Sequence, residues 1–451
     1  MRPAVSELND ARLRLAAAVD DAFALHRSGI VRVETQVEPL CALTWLHAQR
    51  GPDRFYWSGR DDNAMMAGSG ISDVIETGSI DDLEEQLGDK LGSAESDVRY
   101  VGAIRFVPEA VPSTEWQPFG RIRFALPRVE LRAQDDEATI AVHITPSDTK
   151  ADIERVLDEI VWQVGPLSTG LPSPIGRRDQ PEQSTWLDIV SGALQAISSS
   201  ELEKVVLARR TSLTFDDVLD PFVLLKQVRA TTKDCFHMLI EVGQRDVSEA
   251  VFVSATPERL FRMDGRNVVS EAVAGTRVNG NGSTSEQVGT SDLLRSEKDR
   301  REQRYVVESI TSSLDTLTVA LQVDEYPSEF NLSTRSHLRS SLKGTLEDGI
   351  GAFDLLRLLH PTPAVGGTPT PLALKSIAEN EPFDRGLYAG PIGWVGRDSA
   401  EFAVGIRSAL IRRKEALLYS GAGIVDGSVP ENEWDEVEHK LDDFAEVLKL
   451  R

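Results

Sequence analysis

The sequence predicts an α+β protein with a large antiparallel β-sheet core and helices packed on the outside. Strand-like segments follow one another directly along much of the chain and alternate with helical segments in only a few places. That order favours antiparallel sheets over a doubly wound parallel sheet. A chain of 451 residues is long enough to bury a large core. Because it has no run of 18 apolar residues, no membrane-spanning helix is expected.

The first part of the chain is expected to be scaffold. Helical patterns cover residues 1–30 and 148–164. Alternating apolar residues between them predict strands at 31–37, 55–59, 99–107, 120–133 and 138–144. A polar run rich in Gly, Pro and Ser at 165–184 predicts a linker. The sequence therefore divides into a 1–183 scaffold part and a 184–451 part that carries the chemistry, within one compact unit overall.

The second part is denser in predicted elements. A helix at 184–200 precedes a strand at 203–215. Further strands are predicted at 236–242, 251–254, 258–263, 267–273, 387–396, 401–412 and 415–420. Further helices are predicted at 217–230, 287–320, 349–358, 370–379 and 431–449.

Two of these helices carry acidic clusters, SEKDRREQR at 296–304 and ENEWDEVEHK at 431–440. Residues three and four apart are neighbours on a helix surface, so Asp299 and Glu302 share one face. Glu433 and Glu436 share a face in the same way. Two such faces across a cleft would supply the oxygen ligands that Mg2+ prefers. The alternative is a pair of solvated acidic faces.

The charge balance limits the classes of partner. The chain has 72 acidic and 49 basic residues, a net charge of −23, which disfavours nucleic-acid binding. Only 11 of the basic residues are Lys, and the acidic charge is spread along the chain, as expected for a halophilic surface. Such a surface repels anions, so an anionic ligand needs a local basic pocket. Two cysteines outside any CxxC motif and no apolar signal segment suggest the cytoplasm.

Several long segments occur in one order along 184–451. They are EKVVLARR (203–210), ATPERLFR (255–262), AVAGTR (272–277), LHPTPAVGGTP (359–369), EPFDRGLYAGPIGW (381–394), EFAVGIRSALI (401–411) and YSGAGIVDGSVPENEWDEVEHKL (419–441). In this order they resemble the chorismate-utilising enzymes, and within them the isochorismate synthases. The N-terminal part matches only in position and size. The resemblance implies the chorismate-utilising enzyme fold and a reaction in which chorismate binds with Mg2+, water adds at ring C2 and the C4 hydroxyl leaves.

The resemblance implies two catalytic residues. Lys204 corresponds to the general base that activates the attacking water, and the apolar residues after it suggest the burial that favours a neutral amine. The alternative is a strand-edge lysine that reaches water. Glu258 corresponds to the general acid, which must keep its proton near neutral pH. The alternative is an exposed turn carboxylate paired with Arg259.

Binding residues follow from the same resemblance. Glu302 and Glu436 correspond to direct Mg2+ ligands, with Asp299 and Glu433 as a second pair around the metal. Arg407 corresponds to a bidentate binder of a chorismate carboxylate, or is a buried ion-pair partner. Alternation along the predicted strand 401–412 places Arg407 on one face with two small residues, which leaves space for a ligand. Further expected substrate contacts are Lys440, Gly275, Thr276, Gly421, Ala422, Gly423, Tyr388, His360 and Ala364.

Some of these assignments keep an alternative. His360 fits a pocket wall and a structural histidine equally well. Ala364 stands where aminodeoxychorismate and salicylate synthases tend to carry Thr, and Lys204 where anthranilate synthases carry Gln. The resemblance therefore favours an isochorismate synthase that feeds menaquinone or siderophore biosynthesis, as a monomer or weak oligomer. The alternatives are a salicylate synthase, which also eliminates pyruvate, and a non-catalytic chorismate-binding relative.

Overall fold

The computed structural model describes residues 5–25, 29–51, 53–61, 63–95, 97–199, 201–243, 250–278, 296–331 and 335–450. The strands in this part are β1 (Val31–Val37), β2 (Arg54–Ser58), β3 (Met65–Thr77), β4 (Tyr100–Ile104), β5 (Ile122–Gln134), β6 (Glu137–Ile144), β7 (Pro174–Gln180), β8 (Lys204–Phe215), β9 (Phe236–Glu241), β10 (Val251–Thr256), β11 (Arg259–Asp264), β12 (Asn267–Val278), β13 (Thr318–Val323), β14 (Ser328–Asn331), β15 (Arg335–Leu346), β16 (Gly367–Thr368), β17 (Pro391–Val395), β18 (Ser399–Val404), β19 (Ser408–Arg412) and β20 (Glu415–Val425).

The helices in the same part are α1 (Val5–Ala24), α2 (Ala42–Ala48), α3 (Ile80–Ser93), α4 (Lys150–Glu159), α5 (Gln183–Ser199), α6 (Pro221–Thr231), α7 (Glu297–Asp315), α8 (Ala352–Leu359), α9 (Thr370–Asn380), α10 (Pro430–His439) and α11 (Asp442–Val447). A short 3-10 helix covers Thr114–Phe119. Within the described residues no helix is both long and apolar enough to cross a membrane.

The strands form two connected arms, and each pairing among the described strands is antiparallel. One arm runs β1–β6–β5–β3–β2–β9–β10–β19–β20–β8, with β7 and β16 on the far edge of β8. The other leaves β5 through β4–β17–β18–β11–β12–β15 and ends at β13 and β14. The predicted α+β class with an antiparallel core is confirmed.

Strand β20 shows why many of these strands are apolar along their whole length. Leu417 and Tyr419 belong to one buried apolar cluster, whereas Ala416 and Leu418 belong to a second. Because successive side chains point to opposite faces of a sheet, this arm is covered on both faces. A sheet that is buried on both faces needs no alternation of apolar and polar residues.

Three predicted elements are interrupted. The predicted strand 401–412 stops at Val404 and resumes at Ser408, and Arg407 between them has a positive φ of 46°. The predicted helix 431–449 is divided into α10 and α11, with Lys440 and Leu441 between them. The predicted helix 287–320 is described only from Glu297 and ends at Asp315, after which the chain forms β13; residues 287–295 lie outside the described part.

Other elements were not predicted. Strand β7 lies inside the predicted linker 165–184 and pairs with β8, although its residues are mostly exposed and polar. Backbone pairing with β8 holds this edge strand, so its side chains need no apolar pattern. For that reason its composition suggested a loop. The sequence analysis also missed β3 and the group β13, β14 and β15.

Candidate active site

One cleft collects most of the residues singled out in the sequence. It is lined by Val206, Pro257, Glu258, Val273, Ala274, Gly275, Glu302, His337, Ala364, Val365, Tyr388, Ile406, Arg407, Tyr419, Ser420, Gly421, Glu436 and Lys440. The lining comes from both arms of the sheet and from helices α7 and α10. Segments more than 200 residues apart in the chain therefore meet in one place.

Lys204 begins β8 and is fully buried, with 0% of its side chain exposed. Its Nζ donates a hydrogen bond to Oε1 of Glu302 at 3.0 Å, which places the amine beside the cleft. On the neighbouring strand, a Cβ added to Gly423 would lie 2.5 Å from Glu302 Oε1 and 3.1 Å from Lys204 Cε. A side chain at position 423 would therefore displace the Glu302 carboxylate from its place beside Lys204. The lysine is not a strand-edge residue that reaches water.

Glu258 lies in the turn between β10 and β11 and is 5% exposed. Burial raises the pKa of its carboxyl group to about 7, although the nearby Lys204 and Lys440 act in the opposite direction. Its carbonyl oxygen accepts a hydrogen bond from the Val404 N–H at 3.0 Å. Arg259 donates instead to Glu401 and Glu271. The carboxyl of Glu258 therefore keeps a proton near neutral pH and is not an exposed partner of Arg259.

The acidic clusters place two carboxylates in the cleft, Glu302 from α7 and Glu436 from α10. Oε1 of Glu436 accepts a hydrogen bond from Nζ of Lys440 at 2.8 Å, and this ammonium also donates to the Gly421 carbonyl at 2.8 Å. Asp299 and Glu433 lie on the same two helices and are 5% and 0% exposed. Asp299 and Glu433 are therefore buried, whereas the side chains of Glu302 and Glu436 are 15% and 26% exposed at the cleft.

The donor set of the cleft fits Mg2+. The described residues contain no group of three or more His, Cys, Asp and Glu side chains arranged to hold a metal. Mg2+, however, is usually held by one or two carboxylates and completes its shell with water and substrate oxygens. Glu302 and Glu436 provide such a pair, and the missing side chain at Gly423 lets Glu302 Oε1 lie close to β20.

Arg407 lies in the connection between β18 and β19, in the left-handed region that is unfavourable for residues other than glycine. Its Nη1 donates to Oδ2 of Asp443 at 3.2 Å, and its Nη2 donates to Nε2 of His337 at 2.7 Å. The expected alternation of Arg407 with Ala403 and Gly405 along one strand is wrong, because the strand ends at Val404. Partners on β15 and α11 orient the guanidinium instead.

His337 connects Arg407 with Gly275, two residues that the sequence separately predicted to contact the substrate. Its Nδ1 lies 2.9 Å from the carbonyl oxygen of Gly275, on β12. Because Nε2 accepts from Arg407, Nδ1 carries the proton and donates to Gly275, so the imidazole is neutral. Neither His337 nor Asp443 was found from the sequence. Each lies far along the chain from Arg407, so only the folded structure shows that they contact it.

Aromatic rings form another part of the wall. Tyr388 stacks on Tyr419, with ring centroids 5.4 Å apart and planes inclined by 18°. A Cβ added to Gly421 would lie 2.8 Å from the Tyr388 hydroxyl, so this ring packs directly on the backbone of β20. Burial raises the pKa of Tyr388, so its hydroxyl keeps its proton. Ala364 lines the same cleft.

Three further residues that were expected to contact the substrate are not among the described residues that line the cleft. His360 is outside the lining, and its Nε2 donates to the Phe106 carbonyl at 3.0 Å. Burial lowers the pKa of His360 to about 4, so the structure favours its alternative as a neutral structural histidine. Ala422, which lies between Gly421 and Gly423 in the chain, is 0% exposed and packs in an apolar cluster. Thr276 follows Gly275 on β12, and its side chain lies outside the described part.

Comparison with known proteins identifies the family. The family model described as chorismate binding enzyme matches residues 17–449. The chain belongs to the chorismate-binding enzyme family. It is 31% identical to the chloroplastic isochorismate synthase of Catharanthus roseus over 99% of this chain and 86% of that protein. It is also 31% identical to isochorismate synthase MenF of Escherichia coli, with 91% of each chain covered.

Solved structures agree with this family. The menaquinone-specific isochorismate synthase MenF of Escherichia coli matches with a TM-score of 0.84 and 28% identity, over 96% of this chain and all of that one. Anthranilate synthase component I of Streptococcus pneumoniae matches with a TM-score of 0.68 and 20% identity, over 87% of this chain and 92% of that one, and shares the fold. The family fold therefore spans both parts of the chain, and the two relatives of 31% identity named above are isochorismate synthases.

Proposed function

We propose that the chain is a Mg2+-dependent isochorismate synthase, which adds water at C2 of the chorismate ring and releases the C4 hydroxyl. The observation that carries the proposal is the pairing of a buried amine, Lys204, with a buried protonated carboxyl, Glu258, beside one cleft. One group can take a proton and the other can give one, which is the division of roles that a water exchange requires.

Lys204 acts as the general base. In its neutral form the amine takes a proton from the attacking water as the oxygen bonds to C2. The side chain is held by its burial and by Glu302, so the nitrogen keeps one position relative to the cleft. Holding a base and its reactant in a fixed geometry lowers the entropic cost of the step.

Glu258 acts as the general acid. It gives its proton to the C4 oxygen as that carbon–oxygen bond breaks, and the leaving group departs as water. One water enters and one leaves, so the reaction is a net isomerisation, and a proton must return from Lys204 to Glu258 before the next turnover. A carboxyl with its pKa near 7 can both donate this proton and recover it near neutral pH.

The substrate is a dicarboxylate, and basic groups of the cleft provide its local binding site. Arg407 uses two of its nitrogens for Asp443 and His337, and the side chain lines the cleft. Its remaining N–H groups are proposed to hold one carboxylate. Lys440, Gly275, Thr276 and the backbone of Gly421 and Gly423 are proposed further contacts. Tyr388 and Ala364 shape the wall against the ring.

Glu302 and Glu436 are proposed to hold Mg2+, with Asp299 and Glu433 supporting them from the same helices. When bound, the cation supplies positive charge that neutralises the substrate carboxylate. The carboxylates come from two helices that contact β20, so the sheet fixes the distance between them.

We further propose that the isochorismate serves menaquinone biosynthesis. The similar structure at a TM-score of 0.84 is of an isochorismate synthase described as menaquinone-specific. Siderophore biosynthesis is the alternative destination. The net charge of −23 and the scarcity of Lys support a cytoplasmic protein adapted to high salt.

A product assay tests the reaction. The purified protein is incubated with chorismate, with and without Mg2+, and the products are separated by chromatography. Isochorismate without pyruvate, and only with Mg2+, supports the proposal. Pyruvate together with salicylate would identify a salicylate synthase, and binding without turnover a non-catalytic relative. The salt adaptation predicts a higher rate as KCl is raised, in the same assay.

A further inference from the structure

The turn that carries Glu258 is held by a side chain from the first part of the chain. Arg60 lies two residues after the end of β2, and its Nη1 donates a hydrogen bond to the carbonyl oxygen of Pro257 at 2.6 Å. Pro257 directly precedes Glu258, and both residues line the cleft. The sequence analysis expected only scaffold in this part of the chain, so the contact links that scaffold to the proposed general acid.

The register of the sheet explains how Arg60 reaches the turn. Strand β9 pairs with β2 on one side and with β10 on the other. Ser58 on β2 and Ala255 on β10 both pair with His237, so these residues form one row across the sheet. Arg60 and Pro257 each lie two residues beyond that row. Two strand spacings are about 10 Å, a gap that a long arginine side chain and its hydrogen bond can span.

A bidentate ion pair fixes the Arg60 guanidinium. Its Nη2 donates to Oε1 of Glu271 at 2.6 Å, and its Nη1 donates to Oε2 at 2.8 Å. The side chains of Arg60 and Glu271 are 1% and 6% exposed, and the two hydrogen bonds set the plane of the guanidinium. Oε1 of Glu271 also accepts from Nη1 of Arg259 at 3.2 Å. The residues before and after Glu258 are therefore both tied to this carboxylate, one through Arg60 and the other directly.

The position of the Glu258 side chain depends on this turn. The Glu258 N–H donates to Thr256 Oγ1 at 3.2 Å. Arg60 and Thr256 thus hold the two polar groups of the peptide unit that precedes the Glu258 side chain. A buried carbonyl that loses its donor needs another partner, so removal of the Arg60 guanidinium would rotate this peptide unit and move the glutamate.

We propose that Arg60 is a positioning residue for the reaction: it holds the turn at Pro257 and thereby keeps the Glu258 carboxyl at the place where the C4 oxygen leaves. This inference rests on the proposed function, in which Glu258 is the general acid. Arg60 is not among the described residues that line the cleft, so it acts through Glu258 and takes no part in binding the substrate.

Steady-state kinetics of Arg60→Met test the proposal. We expect kcat to fall by about 10²-fold, since a misplacement of ~1 Å at the reacting centre can cost that much. KM should stay within about threefold, because Arg407 and Lys440 are distant and unaltered. Arg60→Lys keeps a cation but loses the planar fork, so we expect an intermediate loss of about tenfold in kcat.

Arg54→Met is the matched control, because Arg54 is also a buried arginine, at the start of β2. Its side chain and that of its partner Glu241 are 4% and 5% exposed, much like the pair of Arg60 and Glu271. Arg54, however, donates to the His47 carbonyl at 3.3 Å, outside the cleft. Each variant loses a buried ion pair, so both should unfold at a lower temperature, but only Arg60→Met should lose kcat.

A double variant shows whether the effect passes through Glu258. In a Glu258→Gln background the proton donor is already lost, so Arg60→Met should lower the residual kcat by no more than about threefold. A general loss of structure would instead lower kcat about equally in both backgrounds.

Infrared spectroscopy gives a readout that needs no turnover. The carbonyl stretch of protonated Glu258 is identified by its absence in Glu258→Gln, and its frequency reports the surroundings of the carboxyl. Without substrate, we expect this band to shift in Arg60→Met and to stay in place in Arg54→Met. The proposed function fails if the unaltered chain forms no isochorismate, and the band then still decides whether Arg60 positions Glu258.

Several results would overturn the inference. They are a kcat of Arg60→Met within about threefold of that of the unaltered enzyme, an equal loss in Arg54→Met, equal losses in both backgrounds, or an unshifted infrared band. Should Arg60→Met fail to fold, Arg60→Lys replaces it throughout. Its loss of about tenfold should also disappear in the Glu258→Gln background, and a persistent loss would contradict the role of Arg60.

Discussion

The two walls of the cleft give glutamate side chains different surroundings. On the strand side, Glu258 forms no ion pair among the described residues, and burial raises the pKa of its carboxyl to about 7. On the helix side, Glu302 and Glu436 each form an ion pair with a lysine, at 3.0 Å and 2.8 Å. This difference in surroundings supports the proposed roles of Glu258 as the proton donor and of Glu302 and Glu436 as anionic ligands.

Replacing the base should have the largest effect. We expect Lys204→Met to lower kcat by roughly 10³-fold or more, because general-base assistance and the attacking water's partner are both lost. Chorismate should still bind, since the variant keeps Arg407 and Lys440. Lys226→Met is the control, as this lysine bonds to the Leu167 carbonyl outside the cleft. Turnover within tenfold of the unaltered enzyme would show that another group is the base.

Replacing the proton donor tests the strand side of the comparison. We expect Glu258→Gln to lower kcat/KM by about 10²-fold. In the unaltered enzyme the acid is active while protonated, so kcat/KM should fall as the pH rises above about 7. The residual activity of Glu258→Gln should lack this fall. The measurement is a pH–rate profile of both proteins, and an unchanged fall in the variant would assign the titration to another group.

A further carboxylate, Asp443, sharpens the comparison because its partner is Arg407. Asp443→Asn leaves a buried arginine with less counter-charge and should lower the free energy of unfolding by about 2 kcal/mol. Chorismate supplies a carboxylate to the same arginine, so it should raise the melting temperature of the variant more than that of the unaltered protein. Thermal unfolding with and without chorismate measures both effects. Equal ligand-induced shifts would mean that Arg407 does not bind the substrate.

The smallest expected effect concerns the helix side. Glu436→Gln removes the charge of one proposed ligand, and the Mg2+ concentration for half-maximal rate should rise at least about tenfold. Glu431→Gln is the matched control, because Glu431 lies on the same helix and is exposed. Activity of Glu436→Gln should return at high Mg2+. An unchanged Mg2+ requirement would remove Glu436 from the metal site.

Most of the residues that meet in the cleft could be predicted because they lie in long, characteristic segments of the sequence. Lys204, Glu258 and Glu436 lie inside the segments whose order pointed to the family, and Glu302 lies in the acidic cluster 296–304. The sequence could not show how the elements are interrupted at Arg407 and at Lys440, since both breaks depend on partners elsewhere. It also could not show that His337 and Asp443 are the hydrogen-bond partners of Arg407.

Strand β15 explains why His337 was missed. Its buried leucines are Leu338, Leu342 and Leu346, which recur every four residues as on a helix. The positions between them on the same face are Ser340, which is buried, and Gly344, whose added Cβ would lie 2.8 Å from a Thr318 methyl. Small residues are required there by close packing, and they hide the two-residue period of a strand.

The strand pairing between the two parts of the chain has a consequence for anyone who wishes to shorten the enzyme. Strand β2 pairs with β9, and β4 pairs with β17, so the first part of the chain completes the sheet of the second. A fragment that begins at 184 would leave β9 and β17 with bare hydrogen-bonding edges, which invite intermolecular association. Such a fragment should be insoluble alone and should regain activity when residues 1–183 are supplied as a separate chain.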